Sequence, residues 1–489
     1  MKTGMFRKLG ALENGIIKGL PMVFWGVFAV CILVKSRLFL TPVSLMPAAL
    51  IAVLILCSKF KQEKWTLWLT AIFIIAFSAR LVFLKGWPIT PLSDSADAYR
   101  FSAQLSAASV KRWHEVFAAN PYYCEVWPMH VPYVIFQTVC MRVLGDSLFS
   151  IQIVNVFFSS LTCVFAAMCA EGLSGSRRAG ILAGLLMAFN VTALFMSSFV
   201  VNQHIAACFF TASLYLIIKE PVKGRVLNYV FSGILLAASQ LMRPEMYIVV
   251  IAVLCMFVHG IIAKRASGKQ EVSKQYLAGA AAKFLCFLAA FFAVMNLANA
   301  ALLQLRWVDN SIMDSKLLYK LMVGLNQETE GRFQDADYPL AADEEAVKAV
   351  LRERLAGPAA TAKLMIKKLC FQFSSYNYWW LQADKGGAAR QFVTRHMFEP
   401  LTQSYMFFTM LLFLAASVRA FQNTDRRLSL LYIILIGYLC AFALIEVQQR
   451  YSYITIPVVT VLASLFFRPG RAAGEEQAGL ALQDAQVLQ

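Results

Sequence analysis

The stretch WTLWLTAIFIIAFSARLVFL (Trp65–Leu84), followed after a short linker by PLSDSADAYR (Pro91–Arg100), decides what kind of protein this is. The first part is apolar from end to end apart from Arg80 and a few hydroxyls. As a helix rising about 1.5 Å per residue it spans the roughly 30 Å of a bilayer's hydrocarbon core. The second part places two carboxylates, Asp94 and Asp97, at the membrane surface. Charge is costly there, and ionisable groups that persist in such places mark function more often than packing.

The composition agrees with lipid as the solvent. Hydrophobic residues make up 59% of the 489-residue chain and charged residues only 15%, against roughly 45–50% and about 25% in soluble domains. Mean hydropathy is +0.61. Backbone in lipid must satisfy its own hydrogen bonds, so the expected fold class is an all-α polytopic membrane protein. The net charge of +17 does not imply a nucleic-acid partner, because Lys and Arg collect on the cytoplasmic loops of membrane proteins. Most of the eleven cysteines lie inside apolar runs, where they behave as small hydrophobes. Cys124 and Cys370 fall in polar loop sequence, as two free thiols or as a bridge. The chain has no CxxC and its five histidines are scattered, so there is no zinc signature. Lys2, Arg7 and Lys8 precede the first apolar run with no small-residue cleavage site after it, which reads as a retained anchor starting in the cytoplasm.

Working outward from Trp65–Leu84, further spanning candidates are Leu20–Lys35, Leu38–Cys57, Phe149–Ala170, Ala179–Ser197, Ile205–Ile218, Val226–Ser239, Tyr247–Ile262, Ala280–Leu303, Tyr405–Val418, Leu428–Ile445 and Ile454–Phe467. That makes about twelve transmembrane helices. With the N-terminus inside, the basic clusters Lys59/Lys61/Lys64, Arg177/Arg178, Lys219/Lys223/Arg225, Lys264/Arg265/Lys269/Lys274, Arg419/Arg426/Arg427 and Arg468/Arg471 all fall on one side, as the positive-inside rule requires. The chain then divides into a cytoplasmic start with two extra helices (1–64), a transmembrane core (65–304) carrying a first outer loop (85–148), a second outer loop with amphipathic helices (305–403), C-terminal helices (404–471) and a cytoplasmic tail (472–489). Within the first loop, the apolar run up to Leu144 is too short to span and reads as a surface or re-entrant helix. Within the second, Glu344–Leu355 has a helical period, and the aromatic patch Phe371–Trp380 suits either an interface anchor or the wall of a sugar site.

This topology gathers polar groups on the outer face: Asp94 and Asp97, Arg80 near the end of its span, Asn202-Gln203-His204, Arg243-Pro244-Glu245, and Glu446 to Tyr451. Transfer of a sugar from a polyprenyl phosphate needs a carboxylate to take the acceptor's proton. It also needs arginine, lysine or a metal ion to stabilise the departing phosphate. Asp94 with Arg243 and Arg450 supplies both by residue type. Structural roles stand beside each of these. Asp94 is also a good helix N-cap, Asp97 a first-turn dipole partner, and Arg243 and Arg450 snorkelling or interface anchors. Glu245 and Glu446 also fit as ion-pair partners, and His204 as a satisfied polar residue.

The sequence resembles GT-C glycosyltransferases of the family 39 type, which include protein O-mannosyltransferases and are related to the lipid A aminoarabinose transferases. The resemblance rests on Ser78-Ala79-Arg80-Leu81, Pro91-Leu92-Ser93-Asp94, Tyr99, Ala103, Pro128–Gly145, Ser174–Ala179 and Arg450-Tyr451, and more loosely on Gly324-Leu325-Asn326 and Gly331-Arg332. It implies a GT-C-like bundle with two larger extracytoplasmic loops in a bacterial plasma membrane, and an active site facing outside. It also implies a polyprenyl-phosphate-linked sugar donor, a hexosyl or pentosyl group passed with inversion to an acceptor in the cell envelope, and Asp94 as the base. Arg80, Arg243, Glu245, Arg450, Tyr451 and His204 are then the expected substrate and lipid-phosphate contacts. No cofactor is required, and a divalent metal (Mg or Mn) is compatible with the chemistry. The family places its tyrosine four residues after the aspartate, whereas Tyr99 is five after Asp94, which keeps Asp97 open as the working residue. The other function classes are a transporter or flippase of a lipid-linked saccharide and a non-catalytic scaffold. The large loop after the third span and the scarcity of ionisable residues in mid-span favour the enzyme.

Overall fold

The computed structural model describes residues 2–36, 42–60, 64–219, 226–266, 273–355, 357–374, 392–421, 423 and 425–467. The expected tail (472–489), the Ser375–Trp380 part of the aromatic patch, and the basic residues Lys61, Lys223, Arg225, Lys269, Arg468 and Arg471 lie outside them.

Among the described residues the chain is all helix, with no strand. In order, the helices are α1 (Lys2–Ser36), α2 (Met46–Cys57), α3 (Trp65–Gly86), α4 (Asp94–Ala107), α5 (Trp113–Ala118), α6 (Val131–Leu144), α7 (Leu148–Ser174), α8 (Arg177–Ala188), α9 (Val191–Met196), α10 (Gln203–Ile218), α11 (Val226–Met242), α12 (Tyr247–Ala266), α13 (Lys274–Gln304), α14 (Leu317–Gly324), α15 (Glu344–Arg354), α16 (Pro358–Ser374), α17 (Glu399–Ala420), α18 (Arg426–Leu444) and α19 (Ile456–Ser464). Short 3-10 and π turns link several of them. Eight helices among the described residues are long and apolar enough to cross a membrane, and three more apolar helices, Pro42–Cys57, Gln203–Ile218 and Val226–Met242, are shorter. The protein is a polytopic all-α membrane protein, and the described parts of the expected runs are mainly helical.

The run Ala179–Ser197 is one span by hydropathy but two helices in the fold. α8 ends at Phe189, and Asn190 restarts the chain by accepting the Ala193 amide at 3.0 Å on its side chain. A break inside an apolar bundle strands the carbonyls of the last helical turn. Arg80 takes them up. Its guanidinium donates to Ala188 O at 3.0 Å and Met187 O at 3.1 Å, and its Nε donates to Ser159 Oγ at 2.8 Å. Tyr405 adds a hydroxyl bond to Leu186 O at 2.5 Å.

One large apolar core runs through the bundle, with α7 against α3, α8 and α10, and α1 wedged among α12, α16, α17 and α18. Two smaller cores lie at the end of the bundle where α3 leads into Asp94. The first joins α4, α5 and α6 to the end of α13, with Trp307 stacked on Phe117 at 5.0 Å and packed against Trp113 at 5.0 Å. The second is built by α14 and α15, where Asp343 caps α15 by accepting the Glu345 and Ala346 amides. The two long loops dock on each other. Asp309 N donates to Cys124 O at 3.3 Å, Asn310 Nδ2 to Glu125 O at 2.8 Å, and Trp127 meets Tyr319 edge to face at 5.5 Å. Together they cap the Asp94 end. No disulfide joins any of the eleven cysteines, Cys124 and Cys370 included.

Candidate functional site

The stretch that opens the first cap is tightly held. Ser95 Oγ donates to Leu92 O at 2.7 Å, and the Tyr123 hydroxyl donates to Asp94 O at 3.0 Å. Between them Ser93 adopts φ 50° and ψ −137°, a conformation that a non-glycine residue takes at roughly 1–3 kcal/mol of strain. α4 begins directly after it, and no side chain caps its first turn. Asp94 is therefore not spent as an N-cap. Its carboxylate projects to the far end of the chain, where Arg450 Nη2 donates to Oδ2 at 3.0 Å.

Arg450 arrives by an extended crossing. α18 stops at Leu444, Ile445 to Gln448 run extended, and a 3-10 turn starts at Gln449. The crossing cannot bond to itself, so its amides go elsewhere. Glu446 N donates to Lys320 O at 3.0 Å and Val447 N to Gly331 O at 2.8 Å. The side chains then interlock. Arg450 Nε donates to Gln448 Oε1 at 2.6 Å, Gln448 Nε2 donates to Glu446 Oε1, and the Tyr451 hydroxyl reaches Glu446 Oε2 at 3.4 Å. Arg243 forms a two-point pair with Glu245 at 2.8 and 3.2 Å and lies over the Tyr451 ring at 5.2 Å. Asp94, Arg243, Glu245, Glu446, Arg450 and Tyr451 thus form one polar cluster from three distant parts of the chain.

Two members of the cluster escaped the reading of the sequence. His130, from the turn before α6, and Lys320, on α14, share the electrostatic surroundings of Asp94, Arg243 and Arg450. Lys320 looks like one solvated lysine among many on a short mixed helix, and His130 like part of a proline-rich turn. Only the docking of the two loops brings them in.

The charge balance is instructive. Burial works against the Asp94 carboxylate, but the Arg450 guanidinium more than offsets it, so its pKa lies below the usual value. The Asp94 side chain is still 63% accessible, against 20% for Arg450. It is thus an ionised, reachable carboxylate in a polar setting. Burial raises the pKa of Glu446, with Gln448, Arg450 and Lys320 opposing. Burial lowers that of Lys320, with Glu446 opposing. His130 is pushed down to about 4 by burial and the nearby Lys320, and is neutral near pH 7. Among the described residues Lys320 Nζ has no hydrogen-bond partner.

The remaining expected residues lie elsewhere. Asp97 pairs along its own helix with the exposed Arg100. Arg80 is fully buried, and its hydrogen bonds all serve the bundle interior. His204 is fully buried and bonds the Tyr453 hydroxyl through Nδ1 at 2.9 Å. Within the aromatic patch, Phe373 packs into the bundle against Trp25 and stacks on Phe28 at 4.8 Å, and Phe371 lies under the Arg332 guanidinium at 4.5 Å. Among the described residues no three His, Cys, Asp or Glu side chains come together as a metal site. Asp94 is matched with the Arg450 guanidinium.

Comparison with known proteins places this cluster in context. Residues 128–292 match the family model described as dolichyl-phosphate-mannose-protein mannosyltransferase, a GT-C family. The matched region includes His130, His204, Arg243 and Glu245 and leaves Asp94, Lys320 and Arg450 outside. The search of curated proteins finds no match. Among solved structures, the crystal structure of ArnT from Cupriavidus metallidurans bound to undecaprenyl phosphate is similar at 12% identity. It covers 83% of this chain and 78% of that one, at a TM-score of 0.32. No residue is carried over from it.

Proposed function

We propose that the protein is an integral membrane glycosyltransferase that moves a sugar from a polyprenyl-phosphate donor to an acceptor on the extracytoplasmic face, with inversion at the anomeric carbon. The observation that carries this reading is the pairing of Asp94 with Arg450. A reachable, ionised carboxylate and a guanidinium held side by side are the two groups that the transfer needs.

Asp94 takes the proton of the acceptor hydroxyl as its oxygen attacks the anomeric carbon from the face opposite the phosphate. The sugar–phosphate bond breaks, and the leaving phosphate gains negative charge. Arg450, Arg243 and Lys320 stabilise that charge in a partly desolvated pocket, where fixed cations are worth more than in water. Lys320 suits this role because its ammonium has no competing hydrogen bond, while Arg243 and Arg450 each already face a carboxylate. Asp97 is the weaker candidate for the base, since it is tied to Arg100 on an exposed helix face. The outward orientation is supported by the basic loops, which collect at the opposite side in the charge-based topology. A bacterial plasma membrane is the setting in which this donor chemistry and topology agree.

Membranes containing the parent protein or Asp94→Asn, supplied with labelled polyprenyl-phosphate sugars, test the reading. Transfer by the parent and its loss in the variant are expected. Equal transfer by both would remove Asp94 from the mechanism.

A further inference from the structure

α16 carries two polar side chains where an amphipathic helix should bury apolar ones. Lys368 and Gln372 are one turn apart on the face that packs into the protein, and each is 1% exposed. Neighbouring Leu369 and Phe373 on the same helix belong to the main apolar core. A lysine and a glutamine placed there are unfavourable unless every donor is used.

Both heads donate to backbone near the site, while Gln372 Oε1 has no partner among the described residues. Lys368 Nζ donates to Gly324 O at 2.6 Å and to Ala443 O at 3.0 Å. It therefore ties the end of α14, one turn past Lys320, to the end of α18. Gln372 Nε2 donates to Gln448 O at 2.6 Å, inside the crossing itself. Gly324 and Gly331 allow this close approach. A methyl group on Gly324 would lie 2.2 Å from Leu444 O, and one on Gly331 would lie 2.8 Å from the Lys368 stem. The crossing is thus bracketed on one side by the amide bonds of Glu446 and Val447 and on the other by Lys368 and Gln372. Gln448 passes this on, since its side chain grips Arg450 Nε. Burial brings Lys368 down to about 7, and either protonation state has enough N–H groups for two carbonyls.

We infer that Lys368 and Gln372 are positioning residues, which hold the 443–448 crossing against α14 so that Arg450 and Lys320 are presented together at Asp94. Neither residue touches Asp94, and both act through Gln448 and Arg450. The kinetic side of this inference rests on the proposed glycosyl transfer, and the structural side does not.

Two measurements on the full-length protein in detergent test it. The first is hydrogen–deuterium exchange in parent, Lys368→Met and Gln372→Leu, read on peptides covering 316–331 and 443–451. Losing about one net hydrogen bond should speed exchange there roughly tenfold, with the transmembrane peptides unchanged. Unchanged exchange in these two segments overturns the inference, and so does acceleration spread over the whole chain. Gln372→Leu guards against a folding failure of Lys368→Met. The second measurement is a double-mutant cycle with Arg450→Gln, read as kcat/KM for a polyprenyl-phosphate sugar. If Lys368 acts through Arg450, Lys368→Met should lower activity in the parent but hardly at all in Arg450→Gln. Additive losses would show a merely structural role and overturn it. If the parent transfers no sugar, the proposed function fails, and the exchange measurement alone decides the inference.

Discussion

The Arg450 guanidinium donates to the Asp94 carboxylate across 356 positions of sequence, at 3.0 Å. The pair joins the first turn of α4 to the start of the last spanning segment. Every other cationic group of the cluster is arranged around this contact, so it makes the sharpest predictions. Asp97→Asn should leave transfer within about twofold of the parent, because Asp97 is spent on Arg100. Asp94→Asn should lower kcat by roughly 10²–10⁴-fold, the usual contribution of a positioned general base. Rates measured for both variants in the same membranes check the assignment. The reverse ranking would move the base to Asp97.

The pH dependence follows from the opposing influences on Asp94. Burial raises its pKa and Arg450 lowers it further, so the carboxylate in the parent is ionised throughout the neutral range. The acid limb of kcat/KM should then lie below the ordinary value of 3.8. Removing the guanidinium leaves burial opposed only by the smaller influences of His130 and Ser93, and the limb in Arg450→Gln should move upward. The same sign holds for stability. A carboxylate with a depressed folded-state pKa contributes above its unfolded value, and that contribution fades as pH falls through the folded one. A pH–rate profile with an unshifted acid limb in Arg450→Gln would show that the ion pair does not set the ionisation of Asp94.

Lys320→Met should raise the KM for the lipid-phosphate donor with little loss of folded yield. Its ammonium makes no hydrogen bond that a methionine would leave broken, while a charge-assisted contact to phosphate is worth about 1.5–3 kcal/mol, or roughly 10- to 150-fold. The side chain is already disfavoured as a cation by burial, so the fold itself should gain slightly. A donor KM within twofold of the parent would take Lys320 out of the phosphate site.

Arg80 makes the opposite case. It sits in an apolar span near the Asp94 end, and by residue type it is as good a phosphate ligand as Arg450. The fold gives it to the α8–α9 break instead. Arg80→Met strands the Ala188 carbonyl in the bundle interior and leaves Met187 O only the Asn190 amide at 3.3 Å, at about 1–3 kcal/mol for an unsatisfied group. Thermal unfolding in detergent should occur several degrees lower, with an unchanged donor KM in the protein that remains folded. A raised KM without a loss of stability would restore Arg80 to the site.

These contrasts show what the sequence could and could not reveal. Apolar runs report directly on the solvent, which is why the described part of each expected span is mainly helical. The Asp343 cap of α15 and the restart at Asn190 are local patterns as well, although hydropathy hid the break between α8 and α9. Asp94 and Arg450 were recognisable as charges at the ends of spans, because such placements are costly. Their pairing was not, since nothing local links positions so far apart. The surroundings of Arg80, His204 and Lys320 were hidden for the same reason. An arginine beside a helix break, a histidine beside Tyr453 and a lysine whose loop folds over Asp94 differ only in long-range packing.

The closeness of that packing at α14 can itself be tested with Gly324→Ala. The backbone at Gly324 lies against the end of α18, and the added methyl would sit 2.2 Å from Leu444 O and 2.3 Å from the Ile445 carbonyl carbon. These are main-chain atoms that cannot rotate away, so α14 must lift from the crossing. The bonds from Lys368 to Gly324 O and from Glu446 N to Lys320 O should lengthen with it. Lys320 then moves relative to Arg450, and the single methyl should lower kcat/KM for the donor by at least about tenfold, the equivalent of one hydrogen bond of roughly 1.4 kcal/mol. The effect should come with faster amide exchange confined to 316–331 and 443–451. Parent-like kinetics in Gly324→Ala would mean that α14 can be displaced without disturbing the site, and Lys320 would then have no part in holding the phosphate.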